Sequence, residues 1–147
     1  MTVQVVATSL ANLQIKQLRN TPRKRFDAWL RDLKSNGCAA LGYRLTGDIL
    51  ERLCVKHLSG SLRAVVAFET ATRATVLIVS DHDDSDPGID VYTQLYQLTG
   101  AKPPTGKRMK PPCCSVDDEP PMWGTEIDEL MARAHDLVRP PRGRKAR

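Results

Sequence analysis

One set of side chains in the sequence is able to grip an anion and move protons: Arg63, His82, Tyr92 and a nearby carboxylate. If Ile49, Leu53 and Val55 point into a core, strand alternation turns Arg52 and Lys56 outward with Cys54 between them, and Arg63 opens the next β-rich stretch beside that exit. His82 follows a third such stretch within Asp81-His82-Asp83, where a neighbouring carboxylate tunes its proton affinity. Tyr92 and Tyr96 stand four residues apart, so both rings share one side of a helix. Arginine, histidine and tyrosine can therefore meet at one end of a small sheet. Plainer roles are open to each: a surface ion pair for Arg52 with Glu51, a hairpin-end hydrogen bond for His82, core packing for one tyrosine.

The surrounding charge favours a polyanion. Between Lys16 and Arg63 there are eleven basic residues and four acidic ones, and the 147-residue chain carries a formal +5 with a pI near 9.2. A contiguous stripe of such charge attracts phosphate backbones and releases their counterions. For Arg23, Lys24 and Arg25 a solvated helix face explains the charge equally well.

Other chemistries find less support. The run Asp81-His82-Asp83-Asp84-Ser85-Asp86 has oxygens suited to magnesium or calcium but not the EF-hand spacing, and a cap-and-turn role before Pro87-Gly88 suits it better. No metal site is expected. The glycine-rich nucleotide loops and the G-x-S-x-G elbow are absent. Cys38, Cys54, Cys113 and Cys114 contain no C-x-x-C pair, and Cys54 reads as a small buried hydrophobe, so neither structural zinc nor redox chemistry is expected. No apolar run approaches the roughly 20 residues of a membrane span, and the first residues lack the pattern of a secretory signal. The expected setting is a reducing cytoplasm with no membrane partner.

The elements that must position these residues are legible in outline. Val3, Val5 and Val6 suggest a strand, and Leu10 to Leu18 a helix after Ser9. Thr21 as N-cap, Pro22 at the first helical position and Phe26, Trp29, Leu30 and Leu33 on one face define a second helix that Gly37 can end. Ile49 to Leu58, Leu62 to Thr70 and Ala74 to Asp81 are β-rich and separated by hairpin-length turns, which predicts an antiparallel meander. A helix from Gly88 or Ile89 to Leu98 closes at Gly100. The order β-α-α-β-β-β-α predicts an α+β fold: a small antiparallel sheet covered on one face by two N-terminal helices, its other face free for a ligand. Residues 101–124 hold six prolines and read as an extended linker; residues 125–147 read as an amphipathic helix from Thr125 followed by a basic tail.

Set in this order, Tyr43-Arg44-Leu45-Thr46-Gly47, Leu50-Glu51-Arg52-Leu53 and Ser61-Leu62-Arg63-Ala64-Val65 ahead of Phe68 resemble the RelE/ParE superfamily of type II toxins, including its HigB-like branch, over roughly residues 3–98. The resemblance implies an endoribonuclease that cuts messenger RNA, commonly on the ribosome, without a metal cofactor and with a cognate antitoxin protein as partner. The RNA's own 2′-hydroxyl attacks, leaving a cyclic phosphate and a free 5′-hydroxyl. By position, Arg63 would hold the scissile phosphate, with Arg52 and Lys56 as supporting cations. His82 would be acid or base, Tyr92 would orient or stack on a base, and Glu51 is a second choice for the base. Arg23, Lys24, Arg25 and Arg44 complete the RNA-binding cations. Asp83 and Asp84 depart from the family pattern, which often places a cation after the position of His82, and acids there repel RNA. The alternative on the same fold is a non-catalytic binder that inhibits a topoisomerase or engages an antitoxin or DNA. The C-terminal helix would either dock on the domain, where an antitoxin element would lie, or leave its basic tail free to add RNA affinity.

Overall fold

The computed structural model describes residues 2–46, 48–102 and 110–138. Pro103, Pro104 and the basic tail lie outside the described residues. Five strands form one sheet in the order β1-β5-β4-β3-β2: β1 (Gln4–Ala7), β2 (Tyr43–Arg44), β3 (Cys54–Ser59), β4 (Leu62–Thr70) and β5 (Arg73–Asp81). The meander expected from the hairpin spacings is present as β3, β4 and β5, all antiparallel, with Gly60 at φ +53 in the first turn. β1 adds parallel to β5, and the unpredicted two-residue β2 adds antiparallel to β3.

Local chemistry sets the helix ends. Thr8 caps α1 (Ser9–Lys16): its hydroxyl accepts from the Ala11 amide at 3.0 Å and donates to the Leu77 carbonyl at 2.8 Å, tying the helix to β5. α2 (Asn20–Asn36) buries Phe26, Trp29 and Leu33 and ends at Gly37, φ +61, as its periodicity indicates. It starts before the expected Thr21 cap; Arg19 holds the cap position without a side-chain bond, and Asn20 adopts φ 56. α3 (Val91–Thr99) starts at Asp90, whose carboxylate caps the Thr93 amide, and ends at left-handed Gly100. α4 (Ile127–Val138) follows a 3-10 turn over Gly124–Glu126.

Three expectations are corrected. First, Asp48–Arg52 is a 3-10 helix rather than the start of a strand. Leu50 and Leu53 are 2% and 0% exposed, and three-residue spacing puts both on one side of a 3-10 turn, which strand alternation would not. Second, neither sheet face is free. Along β4, Leu62, Ala64, Val66 and Phe68 join the core under α2, while Val65 and Ala67 join a second core with Leu95 and Leu98 of α3 and Ile127, Leu130 and Ala134 of α4. Each fully buried Ile or Leu contributes roughly 1.5–3 kcal/mol, enough to keep α4 docked on the sheet. Third, all four cysteines are bridged, Cys38 to Cys114 and Cys54 to Cys113, with Cα separations of 5.4 and 5.7 Å. The chain bends at 113–114, and the adjacent residues reach two neighbours on the α2 side of the sheet edge.

Candidate functional site

With both faces packed, the concavity lies at the sheet's end, where β2, the β3–β4 hairpin, the residue after β5 and the start of α3 meet. Its volume is about 260 Å³. The pleat decides who enters it. His57 and Arg63 pair directly across β3 and β4, on the face that carries Val55 and Val65, so both project into this cleft. β2 supplies Tyr43, α3 supplies Tyr92 and Tyr96, and Lys110 closes the rim with its Nζ 5.1 Å from the Tyr43 ring centroid.

The polar groups are wired together. Tyr43 Oη lies 3.2 Å from His57 Nε2 and 3.0 Å from Tyr92 Oη. His82 is fixed by its backbone amide, which donates to the Ser61 carbonyl at 2.8 Å, and by edge contact with the Tyr92 ring at 4.9 Å. Its Nδ1 lies 2.9 Å from Asp90 Oδ1. Burial works against a charged Asp90, but hydrogen bonds from His82, the Thr93 and Asp83 amides and the Thr93 hydroxyl outweigh it and hold the carboxyl below its ordinary 3.8. A carboxylate only accepts, so Nδ1 carries a proton and Nε2 is the nitrogen left for proton exchange.

His57 sits in a different electrostatic setting. Burial first, then the positive charges of Arg63, Lys110, Lys56 and His82, push its pKa below 6.5. It is neutral at pH 7 and suited to accept a proton. Arg63 donates from Nη1 to the Gly60 carbonyl at 2.8 Å, while its buried Nε has no hydrogen-bond partner among the described residues. A buried unpaired donor costs roughly 1–3 kcal/mol, a cost that a bound anion would relieve.

His82, Asp84 and Asp90 offer ligand atoms within 4.8 Å of one another, a spacing compatible with a cation. The Asp90 oxygens already take four hydrogen bonds as the α3 cap, and Asp84 is exposed, so the set fits an acid–base pair better than a metal site. Asp83 and Asp86 accept from the backbone amides of Ser85 and Gly88, the cap-and-turn role their composition indicates.

Of the residues singled out in the sequence, Arg63, His82, Tyr92 and Tyr96 converge here; Glu51, Arg52, Lys56, Arg44 and the basic residues of α2 do not. Glu51 and Arg52 leave the sheet with the 3-10 turn and border a second, open cleft. There the Arg52 guanidinium pairs with Glu126 at 2.8 Å and stacks 4.0 Å over Trp123. Arg44 borders the same cleft and donates to the carbonyls of Pro112 and Cys113. Lys56 alternates with His57 and so projects on the α2 side, while Arg23, Lys24 and Arg25 ride on α2 itself; Arg23 is engaged with Asp27 and the Ile15 carbonyl. His57, Tyr43 and Lys110 were missed. For His57 the signal was present in β3, since Val55 inward makes His57 share its face, but that face meets solvent only past the end of the α3 core.

Among the described residues no helix is long and apolar enough to cross a membrane. No protein-family model and no curated protein matches the chain. Among solved structures it is similar to the toxin–antitoxin complex RelBE2 from Mycobacterium tuberculosis, with a TM-score of 0.43 and 20% identity over 56% of this chain and 100% of that one. Similarity of that size leaves function to be argued from the cleft itself.

Proposed function

We propose that this chain is the toxin of a type II toxin–antitoxin pair, cutting messenger RNA by attack of the RNA's own 2′-hydroxyl. One observation supports this above the rest: His57, whose pKa is lowered by burial and nearby cations, and His82, hydrogen-bonded to Asp90, flank an arginine whose buried Nε has no partner among the described residues, all in a single small cleft. Neutral His57 takes the proton from the 2′-hydroxyl. Arg63 neutralises charge on the phosphate oxygens as the pentavalent state forms. His82, as the imidazolium with its Nδ1–H held by Asp90, gives its Nε2 proton to the departing 5′-oxygen. Tyr92 and Tyr43 supply rings and hydroxyls for an adjacent base. The products are a 2′,3′-cyclic phosphate and a 5′-hydroxyl, and no metal step is needed. An antitoxin is the expected protein partner, and the ribosome the expected place of action.

The test is cleavage of end-labelled RNA with the product ends identified by mass spectrometry. Cyclic phosphate ends formed in the presence of a chelator, and lost by about 100-fold or more in His57→Ala and His82→Ala, are expected. Growth arrest on expression that both substitutions leave intact, with no RNA cut, would instead favour a non-catalytic binder on this fold.

A further inference from the structure

The prolines and cysteines just before α4 bear directly on the cleft. Lys110 belongs to no helix or strand, yet its ammonium sits over Tyr43 on the rim. Its next two neighbours cannot anchor it in the usual way, because Pro111 and Pro112 have no amide hydrogen to pair with a strand. The segment is instead held through its carbonyls. The Arg44 amide donates to the Pro111 carbonyl at 2.8 Å, and the Arg44 guanidinium donates to those of Pro112 at 3.3 Å and Cys113 at 2.9 Å. Behind these bonds come the two bridges, Cys54–Cys113 into β3 and Cys38–Cys114 into the turn after α2. β3 also carries His57, so the strand that places the candidate base fixes the peptide that places Lys110.

We infer that Lys110 is a phosphate-binding residue of this cleft and that the paired disulfides are the device that keeps it there, so that the oxidised chain binds a phosphate monoester and the reduced chain binds it weakly. The inference rests on the proposed RNA-cutting role for the identity of the ligand. A dithiol supplies two electrons and two protons to each bridge: the S–S bond breaks, two thiols form, and the dithiol closes to its own disulfide. The Arg44 bonds and the packing of Cys113 then hold residues 111–113 without a covalent link, and Lys110 leaves Tyr43. Protein disulfides are normally reduced in a glutathione-buffered cytosol and persist in oxidising settings, so the cleft is complete only under oxidising conditions.

The probe is adenosine 3′-monophosphate, titrated calorimetrically into the full chain, oxidised and after treatment with dithiothreitol. In the oxidised protein Lys110→Ala should weaken binding about tenfold, the loss of one charge-assisted contact, and Lys110→Arg should restore most of it. Reduction should weaken the native chain by a similar factor and the Lys110→Ala chain by less than about twofold. Equal sensitivity of both chains to reduction, unchanged affinity in Lys110→Ala, or absence of probe binding by the oxidised native chain overturns the inference. So does loss of the circular dichroism of the fold on reduction, because the bridges then support the sheet and not the lysine. The two readings fail separately: binding that depends on Lys110 and on oxidation without RNA cleavage sinks the nuclease, whereas cleavage indifferent to both sinks this inference.

Discussion

Asp90→Asn isolates the proton path of the cleft from the fold that carries it. In the native chain one Asp90 oxygen accepts from His82 Nδ1 at 2.9 Å and the Asp83 amide at 2.8 Å; the other accepts from the Thr93 amide and hydroxyl at 2.9 and 3.0 Å. Asparagine is as good an N-cap as aspartate, so its remaining oxygen can keep the Thr93 bonds at little cost. Its NH₂ then faces His82 and the Asp83 amide. The charged hydrogen bond to His82 is lost, about 1.5–3 kcal/mol, and a melting temperature lower by roughly 3–12 °C is expected for a chain of this size. The NH₂ also donates to Nδ1, which excludes the doubly protonated imidazole that proton transfer to the 5′-oxygen needs. That step should slow by about 10²–10⁴-fold. The pH dependence separates the two effects. Asp90 titrates below its ordinary 3.8, so its contribution to stability is present above that value and lost as pH falls through the lower folded value. The asparagine variant should lack this acid limb. The assay is single-turnover cleavage of a short labelled RNA at a temperature where both proteins are fully folded by circular dichroism. A variant that melts early yet cuts RNA within about threefold of the native rate would refute the assignment of His82 as a proton carrier.

The same geometry leads to three further outcomes. Since His57 titrates below 6.5 and must be neutral to act, kcat/KM should fall as pH drops through its lowered pKa, and removing the Lys110 charge by Lys110→Ala should move that limb to higher pH in a pH–rate profile. Asp84, whose carboxylate lies 3.8 Å from His82 Nε2 and is 90% exposed, opposes an incoming phosphate, so Asp84→Asn should tighten RNA binding about two- to fivefold at low salt, measured by fluorescence anisotropy. Ile127 of α4 is 1% exposed in the core beneath α3, and Ile127→Ala should cost about 2–5 kcal/mol in urea titration.

Periodicity alone located most of the framework. The meander, the buried stripe of α2 and the close of α3 at Gly100 depend on neighbours a few residues away, and such patterns survive in one dimension. Arg63, His82 and Tyr92 were found because each stands at the end of such an element. The sequence could not decide which face of β3 counts as outside. Alternation says only that Lys56 and His57 point opposite ways. Since α2 covers one face and α3 with α4 the other, the choice fell to where packing stops, and it fell on His57. Lys110, Tyr43 and the two disulfides are of the same kind. The bridges join positions 59 and 76 residues apart, and a pairing over such distances is fixed by the folded sheet rather than by any spacing along the chain.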